Sequence, residues 1–186
     1  MLLNKGLSWS TAIMVAALIF SACPIAALAA GNSPSIEVGY SPEGSATALV
    51  MKAIGAARTS IRMMAYSFSD PDIMQALANA HKQGVDVQIV IDAKANRNRA
   101  SLAAMNFIVN AGIPLRTDDA FGIQHDKVII VDGQSVETGS YNYSRAAAQK
   151  NSENALVIWN NPDLAASFLL HWQDRWNRGD DYQSTY

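Results

Sequence analysis

Residues 125–142 read HDKVIIVDGQSVETGSYN and contain two runs with strand character, 127–131 and 135–138. The tripeptide Asp132-Gly133-Gln134 separates them, and an Asp-Gly pair between two such runs is a strong signal for a β-hairpin. Residues 128–131 are all apolar, which is typical of a strand that is covered on both faces. The stretch therefore predicts two antiparallel strands, the first of them buried.

Strand and helix patterns alternate along the rest of the chain. No linker rich in proline, glycine or serine interrupts residues 35–178, so we expect one continuous domain. Alternating strands and helices favour an α/β fold in which a mixed β-sheet is sandwiched between helices. The predicted strands are residues 36–40, 60–67, 85–91, 113–117, 127–131, 135–138 and 155–159, and the predicted helices are residues 45–57, 70–82, 99–110 and 162–178.

The first 29 residues have the three-part organisation of a secretory signal peptide. Lys5 supplies a positive charge, residues 11–22 form an apolar segment, and Ala27-Leu28-Ala29 fits the small-x-small cleavage pattern. A membrane span needs about 20 apolar residues, more than this segment has. We therefore expect cleavage, export of a mature domain of residues 30–186 to the periplasm or the medium of a bacterium, and no stable membrane association.

Cys23 is the single cysteine of the chain and belongs to this N-terminal segment. Phe20-Ser21-Ala22-Cys23 loosely resembles a lipobox, so lipidation at Cys23 is an alternative to cleavage after Ala29, although Phe20 fits the lipobox pattern poorly. The folded domain contains no cysteine in either case. Disulfide bonds and cysteine-based zinc sites are therefore excluded from it.

The charge balance is acidic. The chain carries 14 basic and 16 acidic side chains, and loss of Lys5 with the signal peptide leaves 13 against 16, a net charge of −3. Strong non-specific binding to nucleic acid normally depends on lysine and arginine side chains that neutralise phosphates, so such binding here requires a local basic groove. No aromatic residues are interleaved with the basic candidates, so we expect neither base stacking nor sequence specificity. The candidates are Lys94, Arg97, Arg99, Arg145 and Lys150, for which a purely solvated position is the alternative interpretation.

The same 125–142 stretch carries the residue types that attack on phosphorus requires. The imidazole of His125 can act near neutral pH as a nucleophile or as an acid. Lys127 lies two positions further on, on the same face of a strand, and its compact positive charge can neutralise a phosphate oxygen without a metal ion. Gly139, Ser140 and Asn142 are suited to cradle a phosphate. Together these residues predict phosphodiester chemistry.

The order His-x-Lys, four residues, Asp, six residues, Gly-Ser-x-Asn resembles the signature of the phospholipase D superfamily. Size and export signal make the chain most similar to the small bacterial endonucleases of the Nuc type. The resemblance implies a phosphodiesterase without a cofactor, in which His125 forms a phosphohistidine that water later resolves. It extends over nearly the whole mature domain, through Tyr40-Ser41-Pro42, Ala65-Tyr66-Ser67, Val90-Ile91-Asp92 and Asn151-Ser152-Glu153-Asn154.

The resemblance also assigns two carboxylates to the site. Glu153 corresponds to an acid that hydrogen-bonds the second nitrogen of the nucleophilic imidazole, which would fix its tautomer and raise its basicity. Asp132 corresponds to the motif aspartate, a catalytic candidate for which a structural turn role is the favoured alternative. We predict no metal site, because Asp118-Asp119 reads as a loop. His81 fits a helix end, and His171 fits packing on the terminal helix.

One motif supplies one imidazole, whereas in-line displacement at phosphorus also needs an acid for the leaving oxygen. No second His-x-Lys occurs in the chain. A two-fold homodimer with both motifs at its interface would provide the missing group, because an isologous contact brings identical residues together. We therefore predict that His125 of one copy attacks while the partner's His125 acts as general acid, with a bell-shaped pH dependence.

Three functions remain open from the sequence. The first is an exported, metal-independent endonuclease that cleaves DNA, with RNA as a further substrate. The second is a phospholipase D-type lipid phosphodiesterase, which would need an apolar surface that faces a membrane. The third is a catalytically inactive nucleic-acid-binding protein, against which the intact set His125, Lys127, Asn142 and Glu153 argues.

Overall fold

The computed structural model describes residues 33–186, so the predicted signal peptide and Cys23 lie outside the described residues. The described chain forms one mixed eight-stranded sheet with helices on both faces, which confirms the predicted α/β fold. In chain order the elements are β1 Ser35–Ser41, α1 Ser45–Ala56, β2 Ser60–Ala65, α2 Pro71–Lys82, β3 Asp86–Asp92, α3 Arg99–Asn110, β4 Leu115–Asp118, β5 Lys127–Val131, β6 Ser135–Gly139, α4 Arg145–Gln149, β7 Glu153–Trp159, α5 Pro162–Arg178 and β8 Asp180–Asp181.

The strand order is β1-β7-β6-β5-β2-β3-β4-β8. Strands β2, β3 and β4 are parallel, while β5 runs antiparallel to β2 and begins the antiparallel half of the sheet. The register pairs Ala65 with Lys127 and Ser41 with Glu153. As a result β1, β2, β3 and β6 end, and β5 and β7 begin, at one edge, which we call the site edge.

Two apolar layers hold the helices on the sheet. Alternate residues of a strand point to opposite faces, so Met63 and Ile129 pack in the layer under α1, α2 and α3, whereas Met64 and Val128 pack in the layer under α5. Every residue of β5 is buried, as its apolar sequence predicts. Within residues 33–186 no helix is long and apolar enough to cross a bilayer.

Most predicted elements are present, and the differences have local causes. The Asp70-Pro71 helix start is confirmed, since the Asp70 carboxylate accepts a hydrogen bond from the Asp72 amide at 2.9 Å. Strand β2 ends at Ala65 rather than Ser67, because buried Asn96 binds the Tyr66 carbonyl and the Phe68 amide. The five-residue helix α4 and the two-residue strand β8 were not predicted, since both are too short to show a period.

Candidate active site

His125 lies immediately before β5, and Lys127 is the first residue of that strand. The imidazole of His125 is exposed and makes no hydrogen bond within residues 33–186. Its ring packs against Tyr66, with ring centroids 4.5 Å apart and an interplanar angle of 58°. Lys127 Nζ lies 4.9 Å from the centroid of the same Tyr66 ring. The structure thus brings the predicted pair together and adds an aromatic residue that contacts both.

Lys127 is only 5% exposed, which is rare for an ammonium group. Burial lowers the pKa of Lys127, and the negative charges of Asp126 and Glu153 act in the opposite direction. Nζ donates one hydrogen bond, to the carbonyl oxygen of His125 at 2.7 Å. An ammonium group has three donors, so Lys127 retains donors for a phosphate oxygen beside His125.

Gly139, the last residue of β6, and Ser140, which follows it, lie against the start of β7. A Cβ atom at Gly139 would lie 2.3 Å from the carbonyl oxygen of Asn154, so a side chain cannot be accommodated there. The Ser140 hydroxyl donates to Glu153 at 2.6 Å and accepts from the Asn154 amide at 3.0 Å. The Ser140 amide donates to the Asn154 carbonyl oxygen. In this structure Ser140 therefore fastens two strands, and its predicted role as a phosphate contact would require these bonds to be exchanged.

Asn142 lies between two tyrosines that point into the core. The Tyr141 hydroxyl is 2.9 Å from the Thr47 hydroxyl, and the Tyr143 hydroxyl donates to Glu137 at 2.8 Å. Both tyrosine side chains are fully buried, whereas Asn142 is half-buried. The side-chain oxygen of Asn142 has no partner within the described part of the chain. The tyrosines therefore anchor the loop, and the donor that Asn142 can offer a ligand is its Nδ2 group, which makes no hydrogen bond within residues 33–186.

Within the described part of a single chain Glu153 does not contact His125, so the predicted hydrogen bond is not formed there. Its two carboxylate oxygens accept from the side-chain Nδ2 of Asn151 at 2.9 Å and from the Ser140 hydroxyl at 2.6 Å. Strand β6 lies between β5 and β7, so the starts of these two strands are about 10 Å apart. The negative charge of Glu153 still reaches Lys127, whose ammonium form it favours.

Asp132 lies outside the site, which corrects its assignment as a catalytic candidate and agrees with the structural turn role that was the favoured alternative. It follows the far end of β5, about 17 Å along the strand from Lys127. Its carboxylate accepts hydrogen bonds from the amides of Arg58, Thr59 and Ser60 and from the Thr59 hydroxyl. Burial raises the pKa of Asp132, but these hydrogen bonds outweigh it and hold the pKa below its ordinary value. Asp132 thus ties the hairpin turn to the start of β2.

The five basic candidates are exposed. Three of them follow β3, which ends at the site edge, and the other two lie between β6, which ends there, and β7, which begins there. Lys94 also donates to the Phe121 carbonyl oxygen at 2.9 Å. Within residues 33–186 none of the five forms a salt bridge with a carboxylate, so their charges remain available to an anion. They are Lys94, Arg97 and Arg99 after β3, Arg145 as the first residue of α4, and Lys150 immediately after α4.

The other candidate residues have structural surroundings. His81 Nδ1 lies 3.4 Å from the Val85 carbonyl oxygen at the end of α2. His171 Nε2 lies 3.2 Å from Asp126, an ion-pair geometry that the sequence did not predict. Asp118 accepts from the Ala120 amide, as expected of a loop. No group of three or more His, Cys, Asp or Glu residues with metal-binding geometry occurs within residues 33–186.

Sequence reasoning missed Asp92 and Tyr66 as parts of the site. Asp92, at the end of β3, is fully buried and accepts a 2.7 Å hydrogen bond from the Gln124 amide, next to His125. Its other oxygen accepts from the amides of Lys94 and Ala95. Asp92 therefore fixes the loop that leads into His125. The available signal was an acid at the end of a buried apolar strand.

Comparison with known proteins supplies relatives for this site. Residues 50–176 match the family described as "Cardiolipin synthase, PLD-like domain". The chain is 37% identical to phospholipase D of Rickettsia conorii over 136 residues, 73% of this chain and 66% of that protein. It is 29% identical to human mitochondrial cardiolipin hydrolase over 164 residues, 83% of this chain and 64% of that protein. It therefore spans slightly less than two thirds of these relatives. The crystal structure of Nuc from Salmonella typhimurium, a phospholipase D family member, is 69% identical and has a TM-score of 0.81, covering 82% of this chain and 100% of that chain.

Proposed function

Because the chain belongs to the phospholipase D-like family, we propose that it is a metal-independent phosphodiesterase that cleaves nucleic acid. DNA is the leading substrate, and RNA offers the same linkage. The observation that carries the proposal is the placement of His125, Lys127 and Asn142 at one sheet edge with exposed, unpaired cations around them. The N-terminal sequence pattern supports action after export.

The reaction proceeds in two displacements at phosphorus. The imidazole of His125 attacks, a P–N bond forms, and the P–O bond to the leaving strand breaks while a general acid protonates the leaving oxygen. Water then attacks the phosphohistidine and loses a proton to the same acid-base group as the P–N bond breaks. Lys127 neutralises charge on the non-bridging oxygens, and Asn142 donates to the same phosphate.

We propose that a second copy of the chain completes the site. Ile36, Val38 and Tyr40 form one face of the edge strand β1 and are 67%, 51% and 53% exposed. Their cross-strand neighbours on β7 include Ile158 and Leu156, so the apolar surface is continuous over two strands. An exposed apolar patch of this kind is typical of a protein contact.

The same apolar surface leads to the site edge. Tyr40 pairs with Asn154, beside Glu153, at the end of β1. A two-fold contact through this surface would therefore place two site edges next to each other. In that arrangement one His125 attacks, and the partner's His125 in its protonated form is the general acid. The unpartnered imidazole of the single chain agrees with this division of roles.

A lipid phosphodiester is the second candidate substrate. The relatives named phospholipase D and cardiolipin hydrolase support it, since the same chemistry cleaves any phosphodiester. Five unpaired cations around the site favour a polyanion over a single headgroup. Nucleic acid is therefore the substrate that the described surface supports best.

The deciding experiment measures plasmid DNA cleavage by the predicted mature protein, residues 30–186, in the presence of EDTA. We expect cleavage by the wild type and by the matched control His81→Ala, and none by His125→Ala. Loss of wild-type cleavage on chelation would contradict the metal-independent mechanism. Turnover of phosphatidylcholine vesicles without cleavage of DNA or RNA would favour the lipid function, and DNA binding without any turnover would favour the inactive binder.

Subunit mixing tests the shared site. Wild-type protein is unfolded and refolded together with a tenfold excess of His125→Ala protein, so that most wild-type chains pair with a variant chain. If both imidazoles serve one reaction, activity per wild-type chain falls about tenfold, by mass action. Activity that stays proportional to the wild-type chains, or a monomeric active form, would contradict the shared site.

A further inference from the structure

Tyr66 follows β2 at the site edge and contacts both chemically important side chains of the motif. Its ring centroid is 4.5 Å from that of His125 and 4.9 Å from Lys127 Nζ. No assignment drawn from the motif includes this residue. We propose that Tyr66 is a positioning residue that holds the imidazole and the ammonium group in the arrangement needed for attack, an inference that rests on the proposed phosphodiesterase function.

The backbone around Tyr66 is held in place by the buried side-chain amide of Asn96. Asn96 is 1% exposed, and its Nδ2 donates to the Tyr66 carbonyl oxygen at 2.7 Å and to the Asp92 carbonyl oxygen at 2.8 Å. Its Oδ1 accepts from the Phe68 amide at 2.9 Å. The chain on either side of Tyr66 is therefore held in place, which limits the positions that the ring can take.

The need for such a contact follows from the surroundings of His125. Its imidazole is exposed and makes no hydrogen bond within residues 33–186, so hydrogen bonding does not select its rotamer in the single chain. Packing against the Tyr66 ring restricts that freedom. The negative face of the same ring attracts the ammonium of Lys127 and favours its position beside His125.

The first test distinguishes the contribution of the Tyr66 ring from that of its hydroxyl, and it distinguishes an effect on kcat from an effect on KM. Tyr66→Leu removes the aromatic face at similar volume, and we expect kcat on DNA to fall about 10- to 100-fold while KM changes less than about threefold. Tyr66→Phe keeps the ring and should stay within about threefold of wild-type kcat. The matched control is Tyr182→Leu, which removes a half-buried tyrosine far from the site edge and should retain kcat.

The second test observes the contact itself. The ring current of Tyr66 shifts the imidazole proton resonances of His125, which are assigned by their absence in His125→Ala. These shifts should persist in Tyr66→Phe and disappear in Tyr66→Leu, whether or not the protein is active. Retained kcat in Tyr66→Leu, equal losses in both variants, or unshifted wild-type resonances would each overturn the positioning role. A wild type that cleaves no phosphodiester would instead contradict the proposed function, and the resonances would still decide the position of His125.

Discussion

Glu137 offers a quantitative test of the core beneath the active site. Its carboxyl group lies on β6, fully buried, with Ile129 and Val157 as cross-strand neighbours. One oxygen accepts from the Tyr143 hydroxyl, and the other has no partner within the described residues. Burial raises the pKa of Glu137 to about 8 from an ordinary value of 4.5, although the hydrogen bond from Tyr143 acts to lower it.

The direction of the effect on stability follows from proton binding. Between pH 4.5 and pH 8 the unfolded chain has lost this proton while the folded protein keeps it, so stability falls as the pH rises. At about 1.4 kcal/mol per pKa unit, the loss reaches about 3 kcal/mol at pH 7 and about 4 kcal/mol at pH 8, where the folded protein is itself half ionised. Glu137→Gln has the same shape, accepts the Tyr143 hydrogen bond and carries no titrating proton. We expect it to match the wild type at pH 4 and to be about 3 kcal/mol more stable at pH 7.

Urea unfolding at pH 4, 5.5, 7 and 8 measures this difference. The matched control is Glu43→Gln, in which the exchanged side chain is exposed, and its stability difference from the wild type should not grow with pH. A Glu137→Gln difference that is constant over this range would refute the argument, because it would mean that the carboxyl group does not bind its proton more tightly in the folded state. A variant less stable than the wild type at pH 7 would refute it as well.

Three further predictions concern the site and its support. Asp132→Ala should lower the free energy of unfolding by about 2 to 4 kcal/mol because hydrogen bonds are lost, and urea unfolding measures this. The kcat of the remaining folded protein should stay unchanged, as a DNA cleavage assay can show. Lys127→Met should lower kcat on DNA about 10²- to 10³-fold in steady-state kinetics. Lys127→Arg should not retain the wild-type kcat either, because the geometry of a guanidinium differs from that of a compact ammonium. Arg145→Gln should weaken DNA binding by His125→Ala protein and reduce the salt slope by about one, whereas unchanged affinity and slope would exclude Arg145 from the DNA contact.

Local sequence patterns predicted the framework of this fold. The apolar residues 128–131 predicted a strand covered on both faces, and Asp132-Gly133 predicted the hairpin turn that the structure shows. Capping residues did the same for the helices, as at Asp70. These features depend on neighbours within a few positions, which is the range over which a single sequence carries information on structure.

The contacts that shape the site depend on residues far apart in the chain. Tyr66 and His125 are 59 positions apart, and Asp92 and Gln124 are 32 apart. No periodicity links such pairs, so only the fold brings them together. The expected bond between His125 and Glu153 is not formed within one chain for a related reason, because the sequence gives their separation along the chain but not the strand that lies between them.

Several buried polar groups lie close to the site edge. The ammonium of Lys127 on β5, the carboxyl group of Glu137 on β6 and the unpartnered amide oxygen of Asn142 in the loop after β6 are all buried where these strands pack against the two apolar layers. Packing alone would place apolar residues in these positions. Such local violations are expected where chemistry requires them. The Glu137 carboxyl group accepts the hydrogen bond of Tyr143 and thereby fixes the loop that carries Asn142, so its cost in stability and the position of Asn142 have the same structural origin.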